Sequence, residues 1–182
     1  MLPILSPKQI EAPKFPADLL DRLANFSEVI ALARGYVPRG SRDQEINGLP
    51  EVESNTRLPQ ELAQLGRGAA ALMYHESVTE EDFELVMRAG WDTVPTVRRA
   101  ILEALLAGRK PHTVGLPSSS VDRQLEDLVV IGLVKKDVLN FGGGMRESEY
   151  LLSDKAMEYL SLAGVDTGAA EERRKQRELE QK

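Results

Sequence analysis

The chain reads as a mostly α-helical protein with two helical units, the second ending in a small β-hairpin. Three observations predict this class. Apolar residues recur at helical spacing over six separate stretches. Hydrophobic residues make up 42% of the 182 residues but aromatics only 5%, so the core is built from Leu, Val, Ile and Ala, which suits helices. The strand-like runs Leu133–Leu139 and Tyr150–Leu152 flank three consecutive glycines, 142–144, which read as a hairpin tip.

Four prolines, Pro3, Pro7, Pro13 and Pro16, make residues 1–16 an extended leader. From Ala17, the spacing of Leu19, Leu20, Leu23, Phe26, Ile30 and Ala33 predicts a helix to Arg34, stopped by Gly35. Residues 36–56 are rich in Pro, Gly, Asn, Asp and Ser and read as a long loop. Leu58, Leu62, Leu65, Ala69 and Leu72 form the stripe of a second helix. Thr79 starts a third, with acidic residues in its first turn and Asp82 completing a capping box; Gly90 ends it and Trp91 plugs the core. Pro95 suits the first turn of a fourth, striped by Val97, Ile101 and Leu105 and closed by Gly108. Residues 109–117 are turn-like.

The stretch Leu116–Leu152 carries the functional signal. Ser118, Ser119 or Ser120 caps a helix whose Val121, Leu125, Leu128 and Val129 face inward and which Gly132 ends. Its outward face carries Ser118, Ser119, Asp122, Arg123 and Gln124. Arg reads guanine, Gln reads adenine, and serines suit phosphates. Lys135, Lys136 and Arg146 lie on or near the hairpin and supply further phosphate contacts, while Asp122, Glu126 and Asp127 oppose phosphate. A last helix from Asp154 to Ala163 packs Ala156, Tyr159 and Leu160 inward, and residues 165–182 read as a charged tail, either a solvated helix end or disordered.

Charge agrees with this division. The chain's net charge is −6, which weighs against nucleic acid as partner of the whole. Residues 1–94 hold 9 basic and 15 acidic side chains, residues 95–147 hold 8 and 6, and residues 148–182 hold 6 and 8. Only the stretch with the helix and hairpin is net positive. There is no cysteine, no signal-peptide pattern at Met1 and no run near the about 20 apolar residues of a membrane span. The expectation is a cytoplasmic protein with no membrane partner. His75 and His112 lack metal-ligand spacing, no Ser sits in a Gly-x-Ser-x-Gly elbow, and there is no P-loop. No metal, no cofactor and no enzymatic activity of its own are expected.

Two resemblances sharpen the reading. The segment from Leu116 to Val134, with Arg123-Gln124-Leu125-Glu126-Asp127-Leu128 and Gly132-Leu133-Val134, resembles the recognition-helix segment of bacterial winged helix-turn-helix proteins. Only residues 109–117 stand where such domains place a second helix. Asn55-Thr56-Arg57-Leu58-Pro59-Gln60-Glu61-Leu62, Ala69-Ala70-Ala71 and Val78–Asp82 resemble the small helical lid of AAA+ ATPases, closest to the minichromosome-maintenance and MoxR-like groups. That likeness implies that Arg57 senses a nucleotide held by a separate ATPase core. Together they imply a helical lid-like domain at 17–94 and a winged helix-turn-helix at 95–164. The implied function is double-stranded DNA binding, as the C-terminal part or relic of a helicase-like ATPase. A stand-alone dimeric transcription regulator, or a winged-helix module that docks a protein partner, remain as alternatives.

Overall fold

The computed structural model describes residues 12–42, 44–53, 56–141 and 145–180, and their side chains except those of 139–141, 145–147 and 180. Among the described residues there are seven α-helices and one two-stranded antiparallel sheet. The helices are α1 (Ala17–Arg34), α2 (Arg57–Leu72), α3 (Glu80–Asp92), α4 (Thr96–Leu106), α5 (Ser118–Ile131), α6 (Asp154–Leu162) and α7 (Gly168–Glu180). The strands are β1 (Val134–Phe141) and β2 (Met145–Leu152), in register from Val134 opposite Leu152 to Phe141 opposite Met145. The mostly helical class with a small hairpin is what the apolar periodicities predict. The glycine tip, 142–144, lies outside the described residues.

α1 is the axis of the molecule. Phe26, Val29, Ile30 and Ala33 are fully buried, because the helix packs on α2 and α3 along one side and on α6 and α5 along another. One hydrophobic cluster therefore runs from Phe15 and Phe83 through Phe26 and Ile101 to Leu125, Leu133 and Leu160, across residues 94 and 95. Arg22 ties the same elements at the surface: its guanidinium lies 4.7 Å from the Phe83 ring centroid and bonds both Glu80 and the Ala163 carbonyl.

Several local expectations change in the folded chain. Gly90 does not stop α3. It sits inside the helix, where a Cβ would lie 2.4 Å from Phe26 Cε1, so it is a close-approach glycine that lets α3 reach α1. Trp91 stays helical and meets the Phe26 ring edge-on at 5.8 Å. The capping box of α3 forms as expected: Asp82 N–H donates to Thr79 Oγ1, and Thr79 N–H donates to Asp82 Oδ2. α5 is entered differently. Pro117 is its N-cap, and Ser118, Ser119 and Ser120 fill the first turn without a side-chain capping bond, because the fixed φ of proline already sets the entry. Gly132 ends α5 at φ +87, the left-handed geometry glycine permits.

Of the two readings of the charged tail the helix end holds, and it is docked along one side instead of fully solvated. Residues 168–180 form α7, which packs on α4 and β2 and buries Ala170 and Arg177. Its three arginines have carboxylate partners: Arg173 and Arg177 both reach Glu149 on β2, and Arg174 reaches Asp154. The leader also docks where it is described. Lys14 pairs with the chain at 76–78, and Phe15 fills a space against Phe83 and Gly66.

Candidate functional site

The helix and hairpin singled out by the sequence stand together. β1 leaves α5 after Gly132 and Leu133, and the Leu133 carbonyl accepts from Ser153 N–H, which closes the hairpin's open end onto α5. Val121, Leu125 and Leu128 are buried, which turns the opposite side of α5 outward. Ser118, Ser119, Asp122, Arg123 and Glu126 are exposed there. Lys136 is exposed and Lys135 half-buried on β1. Lys136 Nζ lies 5.7 Å from the Tyr150 ring centroid, and Lys135 Nζ is 4.0 Å from Asp137. The side chain of Arg146 lies outside the described side chains.

The segment 109–117 contains one turn of 3-10 helix, Pro111–Val114, in the space between α4 and α5. Four residues are enough to reverse the chain, because Gly108 (φ +65) and Gly115 (φ +73) supply the left-handed corners at either end. The turn brings His112 to α5, where its Nε2 is 2.7 Å from Asp122 Oδ1. A small cleft of about 90 Å³ opens between this turn, β2 and α7, lined by His112, Tyr150 and Arg173 among others.

Two predicted contacts are used differently from expectation. Gln124 is half-buried, and its Oε1 accepts from Arg98 Nε at 2.7 Å. A bidentate contact to adenine needs both amide groups, so it would cost this bond. Asp127 is not an outward acid. It is buried, with Oδ2 accepting from Arg98 Nη2 at 2.9 Å and Oδ1 accepting from Arg39 Nη2 at 2.6 Å. Arg98, itself buried, also donates to the carbonyls of Ala33 and Gly35 at the end of α1. One carboxylate and two guanidinium groups thus tie α1, α4, α5 and the 36–53 loop at a single point.

Sequence periodicity could not reveal this cluster. Arg98 reads as an ordinary helix arginine and Arg39 as a loop cation, and the three residues are 88 and 29 positions apart in sequence. The only signal is that Asp127 lies between buried Leu125 and Leu128, two of the inward positions of α5. Burial works against the Arg39 charge, yet the bonds and charges of Asp127 and Glu126 outweigh it, so its guanidinium is held above the ordinary value.

The acids of α5 are therefore each engaged. Glu126 pairs with Arg39 at 3.2 Å, Asp127 with both arginines, and Asp122 with His112. Arg57 opens α2 as expected, but it stands on the surface with its side chain 74% exposed and pairs with Glu61 at 2.8 Å. His75 lies against Asp82, 2.9 Å from Nδ1 to Oδ2, far along the chain from the α5 surface. Among the described residues, no group of three or more His, Asp or Glu converges as a metal site, and no helix is long and apolar enough to cross a membrane. Compared with known proteins, the chain matches no family model, no curated sequence and no solved structure.

Proposed function

We propose that α4, the 3-10 turn, α5 and the β1–β2 hairpin act as a winged-helix unit that binds double-stranded DNA, with α5 entering the major groove. The observation that carries this reading is the state of the α5 surface. Its acids are engaged by His112, Arg39 and Arg98, while Ser118, Ser119 and Arg123 stand exposed in the first two turns. The guanidinium groups of Arg39 and Arg98 offset the charges of Glu126 and Asp127, so of the three acids on α5 only Asp122 weighs fully against phosphate. Arg123 is the base-reading candidate, the serine hydroxyls and first-turn N–H groups suit phosphate, and Lys135 and Lys136 add contacts from the strand beside the helix. Residues 17–94 would serve a helicase-like ATPase as a lid, with Arg57, free of the core, reaching a nucleotide held elsewhere.

The test is titration of random duplex DNA at two salt concentrations. Binding should weaken steeply with salt, and Arg123→Ala should cost about 1–3 kcal/mol. Removing the charge of Lys136 should flatten the salt slope by about 1. Salt-independent or absent binding, or an Arg123→Ala protein that binds as tightly as the parent, refutes the assignment of α5 as the reading helix.

A further inference from the structure

The cleft beside His112 has walls fixed from three directions. Gly108 N–H donates to the Leu105 carbonyl at 3.1 Å and Arg109 N–H to the Ala104 carbonyl at 2.8 Å, which sets the exit from α4. Thr113 Oγ1 donates to the Lys110 carbonyl at 2.7 Å and holds the 3-10 turn. α7 closes another side. A Cβ at Gly108 would lie 2.8 Å from the Ala169 carbonyl oxygen, so the helix is seated directly on the end of α4, and Arg173 Nε donates to Glu149 Oε1 at 3.1 Å.

The lining is apolar in one part and cationic in another. Leu105, Leu151 and Ala170 supply carbon, while Arg109, Lys110 and Arg173 supply positive charge. Among the described residues Glu149 is the only acid of the lining, and its single charge is already shared by Arg173 and the buried Arg177. Arg109 is exposed, and among the described residues its guanidinium has no ion pair or hydrogen bond. The local sequence agrees. From Ala104 to Val121 there is no Asp or Glu, the longest such run in a chain with 29 acids.

We propose that this cleft binds a small monocarboxylate with a short aliphatic body, its carboxylate paired with Arg109 and its carbons against Leu105, Leu151 and Ala170. A guanidinium offers two parallel N–H groups that match a carboxylate. The cleft of about 90 Å³ has room for several waters, and so for an acid of a few carbons, but lies well below the roughly 300–1,000 Å³ of sites for larger organic ligands. Glu149 in the wall favours a monoanion over a more highly charged phosphate, and a phosphate has no carbon to cover the leucines. His112 lines the cleft and also reaches Asp122, so the bound acid lies one side chain from the exposed face of α5. The inference does not depend on that face binding DNA.

The test is titration of the isotope-labelled full chain with sodium butyrate, read from backbone amide shifts. Saturable shifts should cluster at residues 105–113, 148–152 and 169–173. Butyramide, which has the same shape without the charge, should produce none at the same concentrations. Inorganic phosphate should bind about tenfold more weakly, for want of CH₂ groups to bury. Arg109→Gln should keep the parent's thermal midpoint and raise the butyrate Kd about tenfold, the loss of one charged hydrogen bond. Arg67→Gln, on the exposed side of α2, should leave that Kd unchanged. Butyramide or phosphate matching butyrate, shifts scattered over the surface, or an Arg109→Gln protein with the parent's Kd each overturn the site. No DNA is present in these titrations, so the site and the α5 reading stand or fall separately.

Discussion

Two carboxylates in this protein are each gripped by two arginines, and they do different work. Asp127 sits on the inner side of α5 with its own side chain and both partners' under 10% exposed. Arg98 and Arg39 come from different elements in opposite halves of the chain, and they spend their remaining N–H groups on carbonyls of α1, α5 and the loop between α1 and α2. Glu149 sits on β2, and both its partners, Arg173 and Arg177, come from one helix, α7. Arg173 is 31% exposed and Arg177 only 4%, so water shares the load at one of the two arginines. The first cluster joins four elements that no hydrophobic stripe would join at that point. The second fastens a helix that already has an apolar contact through Ala170. Buried ion pairs add little net stability over apolar packing but cost much when half-broken. Asp127 is therefore expected to matter for arrangement, and Glu149 for holding one edge.

The sharpest way to break the comparison is Asp127→Ala. It leaves two buried guanidinium groups without their carboxylate and should destabilise the fold by about 3–5 kcal/mol, read from urea unfolding. Glu149→Ala strands one buried guanidinium, Arg177, where Asp127→Ala strands two, and is expected to lose less, about 2–3 kcal/mol; an equal loss would erase the distinction. If the protein binds DNA as proposed, Glu149→Ala should leave that affinity near the parent's, whereas milder lesions at the Asp127 cluster, such as Gln124→Ala, should alter it by disturbing the seat of α5; anisotropy titration separates the two.

A third carboxylate provides the smallest and most specific effect. Asp82 is buried, which by itself raises a carboxyl pKa. The Thr79 backbone N–H, His75 and the Thr79 hydroxyl together overcome this and hold it below its usual 3.8. A depressed folded pKa means that its contribution is complete above about pH 3.8 and is lost as pH falls through the lower folded value. Asp82→Asn should flatten that part of the acid-unfolding curve. An unaltered acid limb would mean that the capping box carries no charge-dependent stability.

Much of the architecture was legible along the chain. The apolar stripes placed six of the seven helices described, α1 to α6, because burial of one helical face is a local periodic property. The Thr79–Asp82 capping box could be read for the same reason: both members lie within one turn. The misread points share another character. Gly90 looks like a terminator until Phe26 is seen against it. The run Glu171–Lys182 looks fully solvated until Glu149 is seen beneath it, because composition records the charge of a residue but not of its neighbour. The residues 36–53 lack periodicity because their order comes from a few backbone bonds and one arginine, and not from a buried stripe.

By itself, then, the sequence determined the mostly helical class, the positions of most helices, the exit of α5 at Gly132 and the exposure of Ser118, Ser119 and Arg123. Those follow from hydrophobic period and backbone preference, which act over a few residues. Only the tertiary structure decided that Gln124 and Asp127 face Arg98, that the acids of α5 are paired, and that a loop 84 residues upstream of Arg123 is fastened beside it. The physical reason is that charge pairing and close packing depend on distance in space, and in this fold the partners meet only after α1 has brought the two halves onto one core.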